Sequence, residues 1–492
     1  METSAARTER TVAPPDRPPH DDASTGSIPR LVAGRRRTTL LALAAVAVLS
    51  ATALVVGLVS WAPDGPEPPR ALTGEERERL AAMRVTNYRD LRAGVRVTAG
   101  TGPARTELVG WVDWSRPLVY LDVGGPGAGA ERGLLQATPG VAVLRPDPSA
   151  VPTPAPPPLV PPADRWRLHD PSAGRGLAAL LDLLFRLGAD RPEPPAEAAR
   201  WVGRATVGAE PVDILQAPPP DPGAPPPAGT TDQPRYWLDR DARLHRLETG
   251  LPGLGPVTVQ LTRTDRPTLR PVDALGGRPG QPRALTVAER GRLDRLPARL
   301  RAAGGAAVTL SAPLAVATNL RGAGWVSWTE RAAYVTVADL GAPERRALLR
   351  VDAAGVARAE VPAATVPGSV EAPGRPPLPP PTRGWRADPT RADDLGLLLD
   401  AALRAARPPD QRGGALRVRG DSLAGETVDV VELRASRTLL RYWIDRTGVL
   451  RRLELRTRLG TWAQLDLTPG AVPRLPPVGP APQRAKASAA GR

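Results

Sequence analysis

Residues Arg235 to Glu248 read RYWLDRDARLHRLE, and Arg441 to Glu454 read RYWIDRTGVLRRLE. Nine of the 14 positions are identical, and Leu238/Ile444 is a conservative exchange. A match of this quality inside one chain marks a repeated folding unit, which narrows the possible folds more than any local propensity. Further matches follow in the same order. Arg70-Ala71-Leu72-Thr73 corresponds to Arg283-Ala284-Leu285-Thr286, GWVDW (Gly110 to Trp114) to GWVSW (Gly324 to Trp328), and Tyr120 to Tyr334. Trp166 with Asp170-Pro171 corresponds to Trp385 with Asp388-Pro389, and Glu210, Val212 and Asp213 to Glu426, Val428 and Asp429. The expected organisation is a first repeat over 70–268, a linker over 269–282, a second repeat over 283–470, and a disordered tail over 471–492. A chain of 492 residues is too long for a single core and fits this division.

Each repeat opens with a helix. Thr73 and Glu76, like Thr286 and Glu289, have the capping-box spacing in which a hydroxyl and a carboxylate satisfy orphan backbone N–H groups. Leu80, Met83 and Leu91 then recur at near-helical spacing, as do Leu293, Leu296 and Leu300. Strands follow over Leu108 to Trp114 and Leu118 to Val123. A Pro-rich stretch (147–163, and 371–382 in the second copy) leads to an apolar helix. That helix carries Leu177, Leu180, Leu181 and Leu184 in copy one and Leu395, Leu398, Leu399 and Leu403 in copy two. Strand runs near 204–215, 235–240, 244–249 and 256–262 close the first repeat. Short strands and tight turns imply antiparallel pairing, and the helices inserted among them make the class α+β.

Upstream of the repeats, Thr38 to Trp61 carries no charge over 24 residues. At a rise of ~1.5 Å per residue this run reaches about 36 Å, enough to cross a hydrocarbon core of about 30 Å. Arg35, Arg36 and Arg37 precede it and Trp61 ends it, which places residues 1–37 in the cytoplasm and the repeats outside. The competing reading is a cleaved signal peptide, but its small-residue site, Ala51-Thr52-Ala53, falls in the middle of the apolar run. Both readings put the remainder outside the cytoplasm. The expected location is the plasma membrane, single-pass, and the Pro-rich, charged residues 1–37 are expected to be disordered.

Composition excludes several chemistries. Without cysteine there are no disulfides, no thiol catalysis, no Cys-ligated metal and no lipid-modified N-terminal cysteine. The net charge of +15 is almost all arginine, Lys486 being the only lysine, and is interleaved with Asp and Glu. No aromatic-basic pattern of the single-strand-binding type accompanies it, so nucleic acid is not an expected partner, and anionic head groups suit the excess better. The abundance of Arg, Ala, Pro and Gly suits a GC-rich, bacterial genome.

The polar residues that invite a catalytic reading have plainer ones. Asp239 and Asp445 sit at a turn entry, where a carboxylate accepts backbone N–H bonds, and Glu210 and Glu426 sit at another strand turn. His169 and His245 have no histidine at the matching positions of the second repeat, so neither a Ser-His-Asp triad nor a zinc site is repeated. The run Gly124 to Gly129 lacks the Gly-Lys-Ser/Thr of a phosphate loop and reads as a hairpin or loop. The pairs Trp111/Trp325, Trp114/Trp328, Tyr120/Tyr334 and Trp237/Trp443 are more often core than ligand contacts. No enzyme, metal or cofactor is expected.

The order of helix, strands, helical insertion and closing meander resembles the extracytoplasmic lipoprotein-carrier superfamily. Its members include the LolA/LolB carriers and the actinobacterial LppX/LprG lipoproteins, and RseB is similar. The pieces that carry the resemblance are Tyr236 to Asp239, Leu244 to Glu248 and Gly208 to Leu215, repeated at Tyr442 to Asp445, Leu450 to Glu454 and Gly425 to Val431. The resemblance implies two tandem antiparallel half-barrels (unclosed β-barrels) covered by helices, each with a cavity for acyl chains. It also implies a non-enzymatic carrier or chaperone for a membrane lipid or acylated ligand. The chain departs from the family in lacking a lipobox cysteine, which a transmembrane helix would replace, and in carrying two domains. If such a cavity exists, its expected lining is Val112, Trp114 and Tyr120 with Leu181 and Phe185 on the covering helix. In the second copy it is Val326, Trp328 and Tyr334 with Leu399. The alternative is an envelope protein-interaction or sensor module with no bound lipid.

Overall fold

The chain runs from a short apolar helix into two series of strands. The computed structural model describes residues 43–52, 67–170, 176–192, 197–218, 233–388, 393–407, 414–435 and 438–478. Residues 43–52 form helix α1, whose Leu43 and Leu49 are exposed. No helix among the described residues is long and apolar enough to cross a membrane. The rest of the expected span, residues 38–42 and 53–61, lies outside the described residues, as does the whole of 1–37.

The first repeat comprises β1 (Arg70–Ala71), α2 (Gly74–Arg89), β2 (Arg92–Ala99), β3 (Thr106–Asp113), β4 (Leu118–Gly124), β5 (Gly133–Thr138), β6 (Val141–Pro146) and β7 (Arg167–His169). Then come α3 (Leu177–Arg186), β8 (Arg200–Val207), β9 (Glu210–Gln216), β10 (Arg235–Leu238), β11 (Leu244–Leu251) and β12 (Gly255–Thr262). The second comprises β13 (Arg283–Ala284), α4 (Val287–Ala303), β14 (Gly305–Ala315), β15 (Thr318–Ser327), β16 (Ala332–Asp339), β17 (Ala342–Asp352), β18 (Gly355–Pro362) and β19 (Arg386–Asp388). It ends with α5 (Asp394–Arg404), β20 (Leu416–Leu423), β21 (Glu426–Ala435), β22 (Thr438–Asp445), β23 (Leu450–Arg456) and β24 (Trp462–Pro469).

Each series forms one 12-stranded sheet, in the order β1-β8-β9-β10-β11-β12-β2-β3-β4-β5-β6-β7 and its counterpart β13-β20-β21-β22-β23-β24-β14-β15-β16-β17-β18-β19. Neighbours pair antiparallel, from β1 with β8 to β6 with β7. The end strands β1 and β7 do not pair, so the sheet stays open. These are unclosed antiparallel half-barrels with helices placed between strands, an α+β architecture.

The capping boxes form as the spacing requires. Thr73 accepts from the Glu76 N–H while Glu76 Oε2 accepts from the Thr73 N–H at 2.8 Å, and Thr286 and Glu289 do the same. An arginine three residues before the N-cap threonine completes each cap. Arg70 and Arg283 grip Glu76 and Glu289 with both Nη groups, at 2.7–2.8 Å. The Arg283 guanidinium, with help from the Thr286 cap, holds the Glu289 carboxyl down to about 2. One expected helical contact is corrected. Leu91 is not on the apolar face of α2: the helix ends at Arg89, and Leu91 follows in a left-handed conformation (φ 65°), exposed.

The 269–282 linker packs against the first sheet. Leu269 and Val272 are buried with Trp111, Tyr120 and Trp166 on the back of the first sheet. Gln136 fixes them, donating to the Arg270 carbonyl (3.0 Å) and accepting from the Val272 N–H (2.8 Å). Beyond β24 the chain stays packed as far as Leu475. Leu475 is buried against Tyr334 and Leu348, and its carbonyl accepts from Arg350 at 2.9 Å. Residues 479–492 lie outside the described residues.

The linker continues onto the second sheet, where Asp273 pairs with Arg452 (2.7 Å) and the Gly276 carbonyl accepts from Arg419 and Arg441 (both 3.1 Å). A second seam caps the exposed edge of the first sheet. Asn319 of β15 accepts from the Leu168 N–H (2.6 Å) and donates to the Leu168 carbonyl (3.3 Å), and Arg321 donates to the Trp166 carbonyl (2.6 Å). An open edge strand such as β7 is an aggregation hazard unless paired or capped, and this amide does the capping.

Candidate functional site

The inner face of the first half-barrel is apolar across its width. Val95 and Val97 of β2, Leu108 and Val112 of β3, Val119, Leu121 and Val123 of β4, and Val257 and Val259 of β12 are all buried in one cluster. The alternation that a pleated strand imposes makes this possible. Over the face lies α3, whose Leu177, Leu180, Leu181 and Leu184 join the same cluster, with Phe185 partly buried against it. In the second domain α5 puts Leu395, Leu398 and Leu399 against Val326, Val335, Leu349 and Leu453.

Each covering helix is fastened by the tryptophan that ends the GWVxW motif. The Trp114 indole N–H donates to the Leu184 carbonyl at 2.9 Å, and that of Trp328 donates to the Ala402 carbonyl at 3.0 Å. Both bonds satisfy a late carbonyl of a helix, which has no partner within the helix itself. A third element locks α3 from the other side. Asn87 at the end of α2 donates to the Leu187 carbonyl at 2.6 Å and in turn accepts from Arg263 at 2.5 Å. Gly188 admits the indole, since a Cβ there would stand 2.5 Å from Trp114 Cγ.

In the second domain the side chains of the covering helix leave little space. Beneath α5, between Leu349, Val351, Val356, Leu395 and Leu399, the free volume is about 20 Å³. That is room for about one water molecule, and a drug-sized ligand needs about 300 Å³ or more.

The structure brings most of the expected lining together and leaves two residues out. Val112, Trp114, Leu181 and Phe185 meet in the first core, and Val326, Trp328 and Leu399 in the second. Tyr120 and Tyr334 do not belong with them. Tyr120 lies opposite Trp111 in the β3–β4 ladder, and ladder partners share a face, so it points away from Val112 and Trp114. It is buried on the back of the sheet with Trp111 and the linker residues Leu269 and Val272. Tyr334 likewise lies opposite Trp325 and packs with Leu348 and Leu475. The residues that stand where the tyrosines were expected are Val119 and Leu121, and in copy two Val335. Counting across the turn from Trp114 would have found them: Val112 pairs with Val119, which sets the phase of the whole of β4.

The candidate catalytic residues have structural duties. Asp239 Oδ1 accepts the N–H groups of Asp241 and Arg243 (both 2.9 Å), and Oδ2 meets His245 Nε2 at 2.9 Å. Asp445 Oδ1 accepts from Val449 N–H (2.9 Å), and Oδ2 from Arg451 Nε (2.8 Å). His245 and Arg451 thus occupy one position and hold the same turn. Glu210 and Glu426 are exposed at their turns. His169 lies 3.6 Å from Glu131. In the glycine run, Gly124 lies beneath the Pro-rich strap, where a Cβ would stand 2.4 Å from the Pro152 carbonyl oxygen. Among the described residues no group of three or more His, Asp or Glu could hold a metal ion.

The Tyr-Trp pair of the repeat splits across the sheet. Tyr236 faces the first core while Trp237 lies on the outside under the Arg246 guanidinium, 5.0 Å from its centre. In the second repeat Trp443 is covered by Arg419 (5.2 Å) and Arg452 (4.9 Å), and the outer face is buried beneath the linker. A charged cluster built around Glu454 fills that junction. Nothing in the local pattern of either repeat announces it, because the linker that buries it is distant in sequence.

No protein-family model and no curated protein matches this sequence. Among solved structures the chain is similar to LprF from Mycobacterium bovis, with 11% identity, 38% of this chain and 95% of that chain covered, and a TM-score of 0.24. It is similar to the lipoprotein LppX from Mycobacterium tuberculosis, with 10% identity, 38% and 96% covered, and a TM-score of 0.23. It is also similar to a LolA superfamily protein from Nitrosomonas europaea, with 11% identity, 41% and 96% covered, and a TM-score of 0.17.

Proposed function

We propose that the chain is a membrane-anchored, extracytoplasmic, non-enzymatic module that binds a lipid or acylated ligand on the inner faces of its half-barrels. The observation that carries the reading is the continuous apolar inner face of an open sheet, covered by one short helix whose end an indole hydrogen bond fastens. The sequence resemblance of the Tyr236–Glu248 and Tyr442–Glu454 segments to the lipoprotein-carrier superfamily supports it. In the closed form the leucines of α3 and α5 occupy the volume an acyl chain would take. Binding therefore requires α3 or α5 to lift away, exchanging helix–sheet contacts for ligand–sheet contacts of the same apolar kind.

The experiment is mass spectrometry of organic extracts from the full chain purified in a mild detergent, with titration of a fluorescent fatty acid. A co-purifying lipid, or saturable uptake competed by unlabelled fatty acid, is expected. Detergent-corrected extracts without lipid, together with no saturable uptake, would refute the reading.

The filled interior favours a second reading, in which the same domains recognise another envelope protein with no lipid at all. A failed extraction combined with a stable, stoichiometric envelope complex would favour it.

The membrane location is part of the proposal and rests on the uncharged run of 38–61 behind an arginine triplet. Protease added to intact spheroplasts is expected to degrade the half-barrels and spare an epitope at the N-terminus. Protection of both would place the repeats in the cytoplasm.

A further inference from the structure

One arginine–glutamate pair is wired differently in the two repeats. Arg246 and Glu248 of β11 join in a partly exposed ion pair. Their counterparts on β23 are Arg452 and Glu454, and here the arginine has other partners. Asp466 of β24 accepts from its Nε and Nη2, and Asp273 of the linker accepts from its Nη1 at 2.7 Å. In the first sheet Gln260 stands opposite Arg246 where Asp466 stands opposite Arg452. One exchange on β24 and one linker carboxylate therefore draw the arginine away. Glu454 is left buried, with no ion pair within 4 Å among the described residues and no hydrogen-bond partner there for its Oε2.

The linker covers this carboxyl. Its single 3-10 turn, Asp273–Leu275, is pinned on both sides of Glu454. Asp273 holds Arg452, two residues away on the same strand. The Gly276 carbonyl accepts from Arg441, which lies opposite Glu454 in the β22–β23 ladder, and from Arg419 (both 3.1 Å). The fit is close: a Cβ on Gly276 would stand 3.1 Å from Trp462 Nε1, and one on Gly277 would stand 2.8 Å from Arg419 Nη2.

The junction has no positive charge to spare. The charged groups around Glu454 are Arg452 on its own strand, Arg441 on β22 and Arg419 on β20, with the carboxylates of Glu432 on β21, Asp421 on β20, Asp466 on β24 and Asp273 on the linker. Four carboxylates already answer three guanidiniums. Burial pushes the Glu454 carboxyl up to about 7, the Arg452 charge opposing and Asp273 reinforcing. Lifting the linker returns the carboxyl to water and removes that burial. Ionisation and release are therefore linked, and rising pH favours the state that binds the proton less tightly.

We propose that the linker is a pH-operated clasp between the half-barrels, closed on the second sheet while Glu454 is protonated and released from it when Glu454 ionises. Leu269 and Val272 stay on the first sheet, where Gln136 holds them, and Asn319 still joins the domains at β7. One seam opens and the other holds. The clasp stands or falls independently of the lipid reading.

The test is hydrogen–deuterium exchange of the full chain in non-ionic detergent, read by mass spectrometry at pH 5 and pH 8 and corrected for the intrinsic rate. Linker peptides over 273–281 are expected to lose protection by about tenfold or more from pH 5 to pH 8, the worth of one unit of pKa difference, while peptides over β23 stay protected. Glu454→Gln keeps the shape and cannot ionise, so its linker should be protected equally at both pH values. Glu344→Gln, at an exposed carboxylate of β17, is the control and should behave as the wild type. The wild-type comparison needs no variant, so poor folding of Glu454→Gln leaves the test intact. Linker protection unchanged with pH in the wild type overturns the proposal. So does a loss of protection shared equally by the linker and β23, which means unfolding of the whole domain, and so does an unchanged pH dependence in Glu454→Gln.

Discussion

Leu399→Arg is expected to cost the second half-barrel on the order of 5 kcal/mol, a large part of the roughly 5–15 kcal/mol that holds a domain together. Leu399 is fully buried on α5, among Val326, Val335, Leu349 and Leu453. The cavity beside it, about 20 Å³, has no room for a guanidinium. The charge must either go unsolvated or push α5 off the sheet. The matched Leu181→Arg acts on α3, where Leu180 and Leu184 are equally enclosed. Urea unfolding of residues 67–492, followed by circular dichroism, should show one of two transitions lost or moved to much lower denaturant in each variant. Retention of the wild-type midpoint would mean that the helix is already off the sheet in solution. If lipid recovery then fell while the fold persisted, the charge would lie where an acyl chain lies.

The junction between linker and second sheet is expected to make stability fall with rising pH. Glu454 is fully buried on β23; among the described residues its Oε2 has no hydrogen-bond partner, and Oε1 receives a long contact from Gln464 (3.5 Å). Burial, opposed by the Arg452 charge and reinforced by Asp273, pushes its carboxyl up to about 7, from 4.5 in the unfolded chain. For an acid shifted upward, the folded state holds its proton where the unfolded state has lost it. The stabilisation is complete below about pH 4.5, declines across pH 4.5 to 7, and is gone above. The size follows from the shift: on the order of 3 kcal/mol in total. Glu289, held down to about 2, acts in the opposite sense but at lower pH, outside this window. Glu454→Gln removes the titration. Urea midpoints at pH 5 and pH 8 should differ clearly in the wild type and little in the variant, which should be the more stable at pH 8. Equal wild-type midpoints, or an unchanged difference in the variant, would refute this. The first repeat supplies a natural comparison, since its Glu248 is partly exposed and paired with Arg246.

Much of the inner core was legible because its signals are local. The capping boxes at Thr73 and Thr286, the leucine faces of α3 and α5, and the strands bearing GWVDW and RYWLD all rest on residues within one or two turns of each other. The reading failed where a turn had to be counted. The expected lining puts Tyr120 on one face with Val112 and Trp114, and Tyr334 with Val326 and Trp328. A strand has a period of two, so the phase carried across a hairpin depends on the register of the pair. The Trp111–Tyr120 pairing reverses that assignment. The single run expected near 204–215 is two strands, because the chain turns at Gly208, with φ +64°, between β8 and β9. Strand β2 carries a local signal as well, since Val95 and Val97 alternate inward as a strand should.

The amino-acid sequence alone determined that the chain is a tandem repeat of α+β units, each with its helix starts, its apolar covering helix and its closing meander. These follow from patterns that a single segment carries. Tertiary structure alone decided what lies on the backs of the sheets and how full their insides are. The linker's Leu269 and Val272 cover Tyr120, Leu475 covers Tyr334, Asn319 caps β7, and Asp273 and the buried Glu454 meet at Arg452. Each of these contacts joins residues far apart in the chain, and neither partner's neighbours prescribe the other. Burial of a charge, the pairing of a sheet edge and the volume left under a helix are sums over such distant contacts, so they exist only once the chain has folded.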